Sequence, residues 1–170
     1  MKAEKFYIFF LILLSSCTSI PDGVKPVQNF DLDRYLGKWY EIARMDHSFE
    51  KGLSRVTAEY SIRDDGGVRV LNRGYAESEQ KWKEAEGKAL FVGEPSIGFL
   101  KVSFFGPFYG SYIIFELDSE YRYALVSGQD KKYFWILSRN ANMDAGLKEK
   151  LIGVARKKGF DTDQLIHVEQ

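Results

Sequence analysis

The chain has 170 residues, of which 24 are basic, 24 are acidic and 15% are aromatic. This length suits one domain with a substantial hydrophobic core. Zero formal net charge argues against nucleic acid as a partner, because phosphate-binding surfaces show a basic excess. The single cysteine, Cys17, excludes an intrachain disulfide and any multi-thiolate metal site. With only two histidines, His47 and His167, we expect no bound metal and no cofactor.

The N-terminal residues have the pattern of a targeting segment. An apolar run of nine residues, Phe6 to Leu14, covers as a helix only about half of the ~30 Å hydrocarbon core, which is typical of a secretory signal peptide. Leu14-Ser15-Ser16-Cys17 follows directly and resembles a bacterial lipobox, in which the cysteine is acylated and becomes the new N-terminus. We expect residues 1–16 to be removed and Cys17 to carry lipid. An ordinary cleavage site with an incidental cysteine is the alternative.

Residues 17–29 have the composition of a linker. They include Pro21, Gly23 and Pro26 and show no periodicity. We therefore expect a lipidated tether at residues 17–29, followed by one folded domain at residues 30–170.

From Phe30 onward the chain divides into short alternating runs separated by turn signals. This spacing predicts eight antiparallel strands with short connections, the pattern of an all-β barrel or sandwich. After Arg139 the apolar residues recur every three or four positions, which predicts an amphipathic C-terminal helix packed against the barrel wall. The predicted strands are residues 38–45, 56–63, 68–75, 82–91, 99–104, 111–117, 123–127 and 133–139, with a short final strand at residues 164–168.

The alternation sends a mixture of aromatic and small residues to one common face. Eight strands either close around packed side chains or hold one small ligand, and the sequence leaves both alternatives open. The almost uncharged face with a few tyrosines favours a cavity for a long apolar tail. The residues expected to contact such a ligand are Ala43, Met45, Val56, Ala58, Tyr60, Val70, Leu100, Val102, Phe104, Ile113, Phe115, Tyr133 and Trp135.

Three sequence blocks resemble those of the lipocalin family. Gly37-Lys38-Trp39 matches the Gly-x-Trp signature, residues 117–121 are loosely similar to the second block, and Leu137-Ser138-Arg139 matches the third. Residues 30–170 are similar in particular to the bacterial outer-membrane lipoprotein branch (Blc type). The resemblance implies an all-β, eight-stranded antiparallel up-and-down lipocalin barrel with a C-terminal α-helix packed outside. It also implies that Trp39 plugs the closed end and that Arg139 covers it, so Gly37, Trp39 and Arg139 are expected to be structural.

The opposite end of such a barrel is expected to open through the loop at residues 46–52. Phe49 is a candidate flap over the mouth. His47 is expected to be a solvated loop histidine, with contact to a ligand head group as the alternative. The aromatic segment at residues 104–109 is suited to covering the mouth, touching lipid or pairing with another subunit, and the resemblance leaves a homodimer open.

The resemblance implies a lipid-anchored protein of the outer membrane whose domain faces the periplasm. It is expected to bind fatty acids or lysophospholipids in its barrel, for lipid storage or transport in outer-membrane maintenance. We expect no enzymatic activity, because no nucleophile–histidine–carboxylate set is visible. One alternative is an enzyme acting on a barrel-bound lipid with Tyr60, Tyr133 or Glu41 as acid or base. The other is a haem or pigment carrier that uses His47 and His167.

Overall fold

The computed structural model describes residues 18–170, so the predicted signal peptide and the predicted acylation of Cys17 lie outside the described residues. No helix in the described part of the chain is both long and apolar enough to cross a membrane. The elements in chain order are α1 (Leu32–Tyr35), β1 (Gly37–Arg44), β2 (Leu53–Ile62), β3 (Val68–Ala76), a 3₁₀ turn (Glu77–Glu79), β4 (Lys81–Phe91), β5 (Phe99–Phe105), β6 (Phe108–Leu117), β7 (Tyr123–Ser127), β8 (Phe134–Ser138), α2 (Ala145–Lys157), a second 3₁₀ turn (Thr162–Gln164) and β9 (Ile166–His167).

The strands form a closed barrel. Strands β2 to β8 pair with their sequence neighbours in antiparallel hairpins, and β1 closes the ring by pairing with both β8 and β2. The short β9 adds to the far end of β1. An up-and-down barrel has no free strand edges, which is one way all-β proteins avoid edge-to-edge aggregation. The predicted eight-stranded barrel with one C-terminal helix is confirmed.

One end of the barrel is closed by α1 and the start of β1. Gly37 has a φ of +88°, in the left-handed region that favours glycine. Trp39 is completely buried, and its indole N–H donates to the carbonyl of Tyr35 at 2.8 Å. The Arg139 guanidinium lies 4.0 Å from the centroid of the Trp39 ring and donates to the carbonyls of Arg34 and Lys38 at 2.8 and 2.9 Å. Trp39 therefore fills the closed end of the barrel and Arg139 packs over it from outside, as the resemblance implied.

The helix α2 covers part of the barrel's outer surface. Its first turn is capped by Asp144, whose carboxylate accepts from the Leu147 N–H at 2.9 Å. The strands β6, β7 and β8, which lie beneath the helix, are apolar on both faces, because their outer face is buried by the helix and their inner face lines the barrel. The buried residues between helix and sheet, called here the helix-facing layer, are Val24, Ile42, Ala43, Ile113, Phe115, Leu125, Phe134, Ile136, Leu151, Ile152, Ala155 and Phe160.

The N-terminal segment differs from the expected tether, because residues 18–29 pack along the barrel. Val24 is buried in the helix-facing layer. The Val27 N–H donates to the Ile114 carbonyl, and the Val27 carbonyl accepts from the Gly98 N–H, both at 2.9 Å. Two valines that bury apolar surface therefore hold the segment in place despite its prolines and its lack of periodicity.

Candidate functional site

The barrel encloses a cavity of about 270 Å³, called here the main cavity, which opens at the end opposite Trp39. Ligand pockets in proteins span about 300–1,000 Å³, so this volume lies just below that range. Its wall is mainly apolar and aromatic. The alternative of a barrel filled by its own side chains therefore does not hold.

Most of the residues predicted to contact a ligand border this space. Val56 and Ala58 line a side cavity of about 50 Å³ that adjoins the main cavity at Tyr60, Asn72 and Trp135. Contact between any of these side chains and a ligand stays a prediction. Those on the wall of the main cavity itself are Tyr60, Val70, Leu100, Val102, Phe104, Tyr133 and Trp135.

Ala43 and Met45 lie outside the cavities, contrary to the prediction. Glu41 pairs with Leu137, but Ala43 pairs with Ile136, so β1 has one extra residue relative to β8. Such a β-bulge reverses which face the following side chains occupy. Ala43 is consequently buried in the helix-facing layer, and Met45 packs against the same layer.

Ile113 and Phe115 were also expected inside the barrel, and both lie in the helix-facing layer. Phe105 pairs with Phe108 at the tip of the β5–β6 hairpin, but Val102, three residues earlier, pairs with Gly110, only two residues later. The pairing of β5 with β6 therefore shifts by one residue between these two pairs. This second bulge turns Tyr112 toward the barrel interior in place of its neighbour. Both faces of β6 are apolar, so alternation alone does not tell which one is internal.

Three tyrosines form a hydrogen-bonded chain at the cavity wall. The Tyr112 hydroxyl lies 2.8 Å from the Tyr35 hydroxyl and 2.7 Å from the Tyr60 hydroxyl. Burial raises the pKa of all three hydroxyls well above the ordinary value, so the chain is uncharged at neutral pH. The sequence prediction included Tyr60 and missed Tyr35 and Tyr112.

A buried polar cluster lies beside the tyrosines. Arg44 donates to a carboxylate oxygen of Glu41 and to the main-chain carbonyl of Glu50, both at 2.8 Å. The Trp135 indole N–H donates to Glu50 Oε2 at 3.1 Å, and His47 Nε2 lies 3.1 Å from the same oxygen. These contacts fix the β1–β2 loop against the cavity wall.

The cluster gives one side of the interior a polar character. Burial and the neighbouring Glu50 raise the pKa of the Glu41 carboxyl well above its usual range, against the opposing effect of Arg44. Glu41 and Glu50 both border the side cavity. Asn72 borders both cavities, and its side-chain oxygen is buried without a hydrogen-bond partner. Since an unpaired buried acceptor is costly, this oxygen is a candidate contact for a hydrogen-bond donor of a ligand.

The expectation of a solvated His47 is wrong. His47 is only 9% exposed, and its ring stacks on Phe49 with 4.0 Å between ring centroids. Phe49 borders the main cavity while 57% of it remains exposed, the position expected of a flap at the mouth.

The second histidine, His167, is exposed on β9 outside the barrel, so the two histidines do not meet at one cavity. Within residues 18–170, no three His, Cys, Asp or Glu side chains are grouped to hold a metal ion.

A closed up-and-down barrel with a hollow, mainly apolar interior and an outer C-terminal helix defines a ligand-binding barrel of the lipocalin type. Residues 30–170 match the family model described as a lipocalin-like domain. The chain therefore belongs to the lipocalin family, and the resemblance inferred from three short sequence blocks is confirmed.

Curated relatives of high identity are bacterial. The chain is 58% identical over 166 residues to the outer membrane lipoprotein Blc of Vibrio cholerae, with 97% of both chains covered. It is 53% identical over 161 residues to the protein of the same name from Escherichia coli K12, covering 95% of this chain and 91% of the relative. Among solved structures, insecticyanin from the tobacco hornworm Manduca sexta is similar with a TM-score of 0.70 at 21% identity, covering 90% of this chain and 87% of that one. That structural likeness concerns the fold alone.

Proposed function

We propose that this protein is a lipid-anchored lipocalin that holds a fatty acid or a lysophospholipid in its main cavity, for lipid storage or transport in outer-membrane maintenance. The observation that carries the proposal is the hollow, mainly apolar interior of about 270 Å³, closed at the Trp39 end and open at the other. Because lipocalins are a family of ligand-binding proteins, binding rather than turnover is the expected activity.

The wall of the interior suits a molecule with one apolar tail and one polar end. Leu100, Val102 and Phe104 offer a continuous apolar surface along β5. An alkyl chain on this surface gains about 0.8 kcal/mol per buried CH₂ group. The tyrosine hydroxyls can donate to a carboxyl or phosphate-ester end. The unpaired oxygen of Asn72 only accepts, so it suits a hydroxyl or a protonated carboxyl group of the ligand.

The proposed location follows from the N-terminal sequence and from the relatives. An apolar segment followed by Leu14-Ser15-Ser16-Cys17 supports acylation of Cys17. The relatives from Vibrio cholerae and Escherichia coli are named outer membrane lipoproteins. We place this protein in the outer membrane as well, with its domain in the periplasm.

A titration tests the binding proposal. The full-length Cys17→Ser protein is titrated with a lysophospholipid while tryptophan fluorescence is recorded. We expect saturable quenching with one site per chain, and loss of most of the signal in a Trp135→Phe variant, because Trp135 borders the main cavity. Correctly folded protein without saturable binding of lysophospholipid or fatty acid would rule the proposal out.

A matched pair of variants separates binding inside the barrel from binding to its surface. Ala89 borders the main cavity, whereas Lys88, the preceding residue on β4, lies on the opposite face. We expect Ala89→Phe to fill the cavity and weaken binding about tenfold or more, at an overpacking cost of about 1–3 kcal/mol. Lys88→Phe should bind like the parent protein. Thermal unfolding of both variants shows whether they remain folded.

A further inference from the structure

The N-terminal segment begins at the open end of the barrel. The Ser19 hydroxyl donates to the carbonyl of Gln129 at 2.9 Å, and the Ser111 hydroxyl donates to the carbonyl of Ser19 at 2.8 Å. Gln129 and Ser111 both border the main cavity. Thr18 is joined directly to Cys17, and consecutive Cα atoms are about 3.8 Å apart. The described part of the chain therefore begins at the mouth of the barrel, one residue after the cysteine proposed to carry the lipid.

Large exposed apolar side chains concentrate at the same end. Phe105 and Phe108 face each other at the tip of the β5–β6 hairpin and are 79% and 75% exposed. Phe49 and the half-exposed Trp82 also belong to this end. Of the large apolar residues that are exposed within residues 18–170, only Ile62 lies at the closed end. Grouped exposed aromatic residues mark a contact surface for a partner or a membrane.

The tip of the β5–β6 hairpin and Ser19 lie close enough together to contact the same membrane surface. Phe108 is three residues from Ser111 along β6, which corresponds to about 10 Å at the rise of a β-strand. Side chains of interfacial proteins bury their apolar faces about 5–10 Å into the boundary between head groups and acyl chains. An acyl anchor at Cys17 and an inserted hairpin tip are therefore compatible with one orientation of the domain.

A groove of about 470 Å³ continues from the hairpin tip toward the cavity and is called here the rim groove. It is bordered by Phe105 and Phe108, and it shares Phe49, Asn72 and Phe104 with the main cavity. An apolar path thus leads from the exposed aromatic residues to the interior.

We propose that the open end of the barrel rests on the membrane that carries the anchor. Phe105 and Phe108 insert among the phospholipids of this membrane. The rim groove is the route of an acyl chain between the bilayer and the main cavity. The proposal rests on the proposed acylation of Cys17. It goes beyond the proposed function because it assigns an orientation and a membrane-contact surface. The bilayer is favoured over a second copy of the chain as the partner of this surface, because Ser19 is held at the open end of the barrel, two residues after the proposed lipid anchor at Cys17.

Fluorescence quenching in vesicles tests the orientation. The mature lipidated protein, which begins at Cys17, is reconstituted at high lipid excess into vesicles of phosphatidylethanolamine and phosphatidylglycerol, some carrying nitroxide groups on their acyl chains. A polarity-sensitive thiol label is placed at Phe105→Cys or, as the matched control, at Asp64→Cys in the exposed β2–β3 turn of the closed end. Because insertion buries the tip about 5–10 Å into the boundary between head groups and acyl chains, we expect the label at position 105 to be quenched about fivefold more than the control.

The possible outcomes are distinguishable. Mass spectrometry of the N-terminal peptide first establishes whether Cys17 is acylated. An unmodified peptide overturns the anchor and this proposal together, whereas an acylated protein with equal quenching at both positions overturns only the orientation. A label at position 105 that is shielded from water but not quenched by the lipid nitroxides shows that a second copy covers the tip, which also overturns the proposal.

Discussion

At the scale of single residues, Arg139 stabilises the fold by packing its guanidinium against the indole ring of Trp39. Its guanidinium lies on the indole face and donates to main-chain carbonyls, so its planar shape matters as well as its charge. We expect Arg139→Ala to lower the free energy of unfolding by about 2 kcal/mol. Arg139→Lys should lose part of this amount, because a lysine keeps the charge without the planar fork. Urea unfolding measures both values. A loss below about 0.5 kcal/mol for Arg139→Ala would contradict the role of a cover.

Asp118, in the turn between β6 and β7, predicts a pH dependence of stability. Its carboxylate accepts from the Arg122 side chain at 2.7 and 2.9 Å and from the main-chain N–H of Glu120. These hydrogen bonds, with that to Arg122 the strongest, lower the pKa of Asp118 to about 2. The folded-state pKa is depressed, so the stabilisation is present above the unfolded pKa of about 3.9 and is lost as the pH falls toward 2.

We therefore expect Asp118→Asn to be less stable than the parent protein by about 1.5 kcal/mol at pH 7. The difference should shrink between pH 4 and pH 2, in the window that the lowered pKa of Asp118 defines. Urea unfolding across this range gives the measurement. A difference that stays constant down to pH 2 would show that the charge of Asp118 is not the cause.

At the scale of the elements, two β-bulges decide which side chains face the cavity. The sequence predicted the number of barrel strands and their approximate positions, because alternation and turn residues are local signals, whereas β2 and β6 each begin three residues earlier than predicted. It misplaced Ala43, Met45, Ile113 and Phe115, because a bulge of one residue leaves no clear mark in a strand that is apolar on both faces. The antiparallel pairing of Leu100 with Tyr112 places both on one face, so knowledge of that register would have identified Tyr112.

Phe115 and Phe104 test this assignment as a pair. Phe115 is buried between barrel and helix, whereas Phe104 borders the main cavity. We expect Phe115→Ala to lower the free energy of unfolding by about 3–5 kcal/mol while leaving lysophospholipid affinity unchanged. Phe104→Ala should cost less stability and change the affinity. The reverse result, with affinity altered only by Phe115→Ala, would show that the assignment of faces is wrong.

The packing of the N-terminal segment, residues 18–29, against the barrel makes a further prediction at this scale. Val24 is buried in the helix-facing layer, although its surroundings in sequence are those of a linker. We expect Val24→Ala to lower the free energy of unfolding by about 1.5 kcal/mol, because two methyl equivalents leave an apolar site. Lys25→Ala, one residue further and exposed, should have no effect. Equal stability of both variants in urea would indicate that the segment is not held in place.

At the scale of the whole molecule, the proposed binding of a lipid requires a barrel that is closed at one end, hollow, and open at the other. The alternating runs predicted an all-β barrel or sandwich, and the resemblance of three sequence blocks to lipocalins supplied the choice of an up-and-down barrel. The hollow interior did not follow, since a filled and a ligand-holding barrel share the same pattern. The polar cluster of Glu41, Arg44, His47 and Glu50 was also beyond sequence reasoning, because it depends on how the β1–β2 loop folds back on the wall.

The most direct test of the central claim is native mass spectrometry of the full-length Cys17→Ser protein mixed with a lysophospholipid or a fatty acid. We predict a single lipid per chain, because the main cavity has room for one tail and the rim groove opens into the same space at Phe49 and Phe104. The same adduct should be strongly reduced in Ala89→Phe and unchanged in Lys88→Phe. A folded parent protein that carries no lipid at saturating concentration, or an adduct that persists unchanged in Ala89→Phe, would contradict the account.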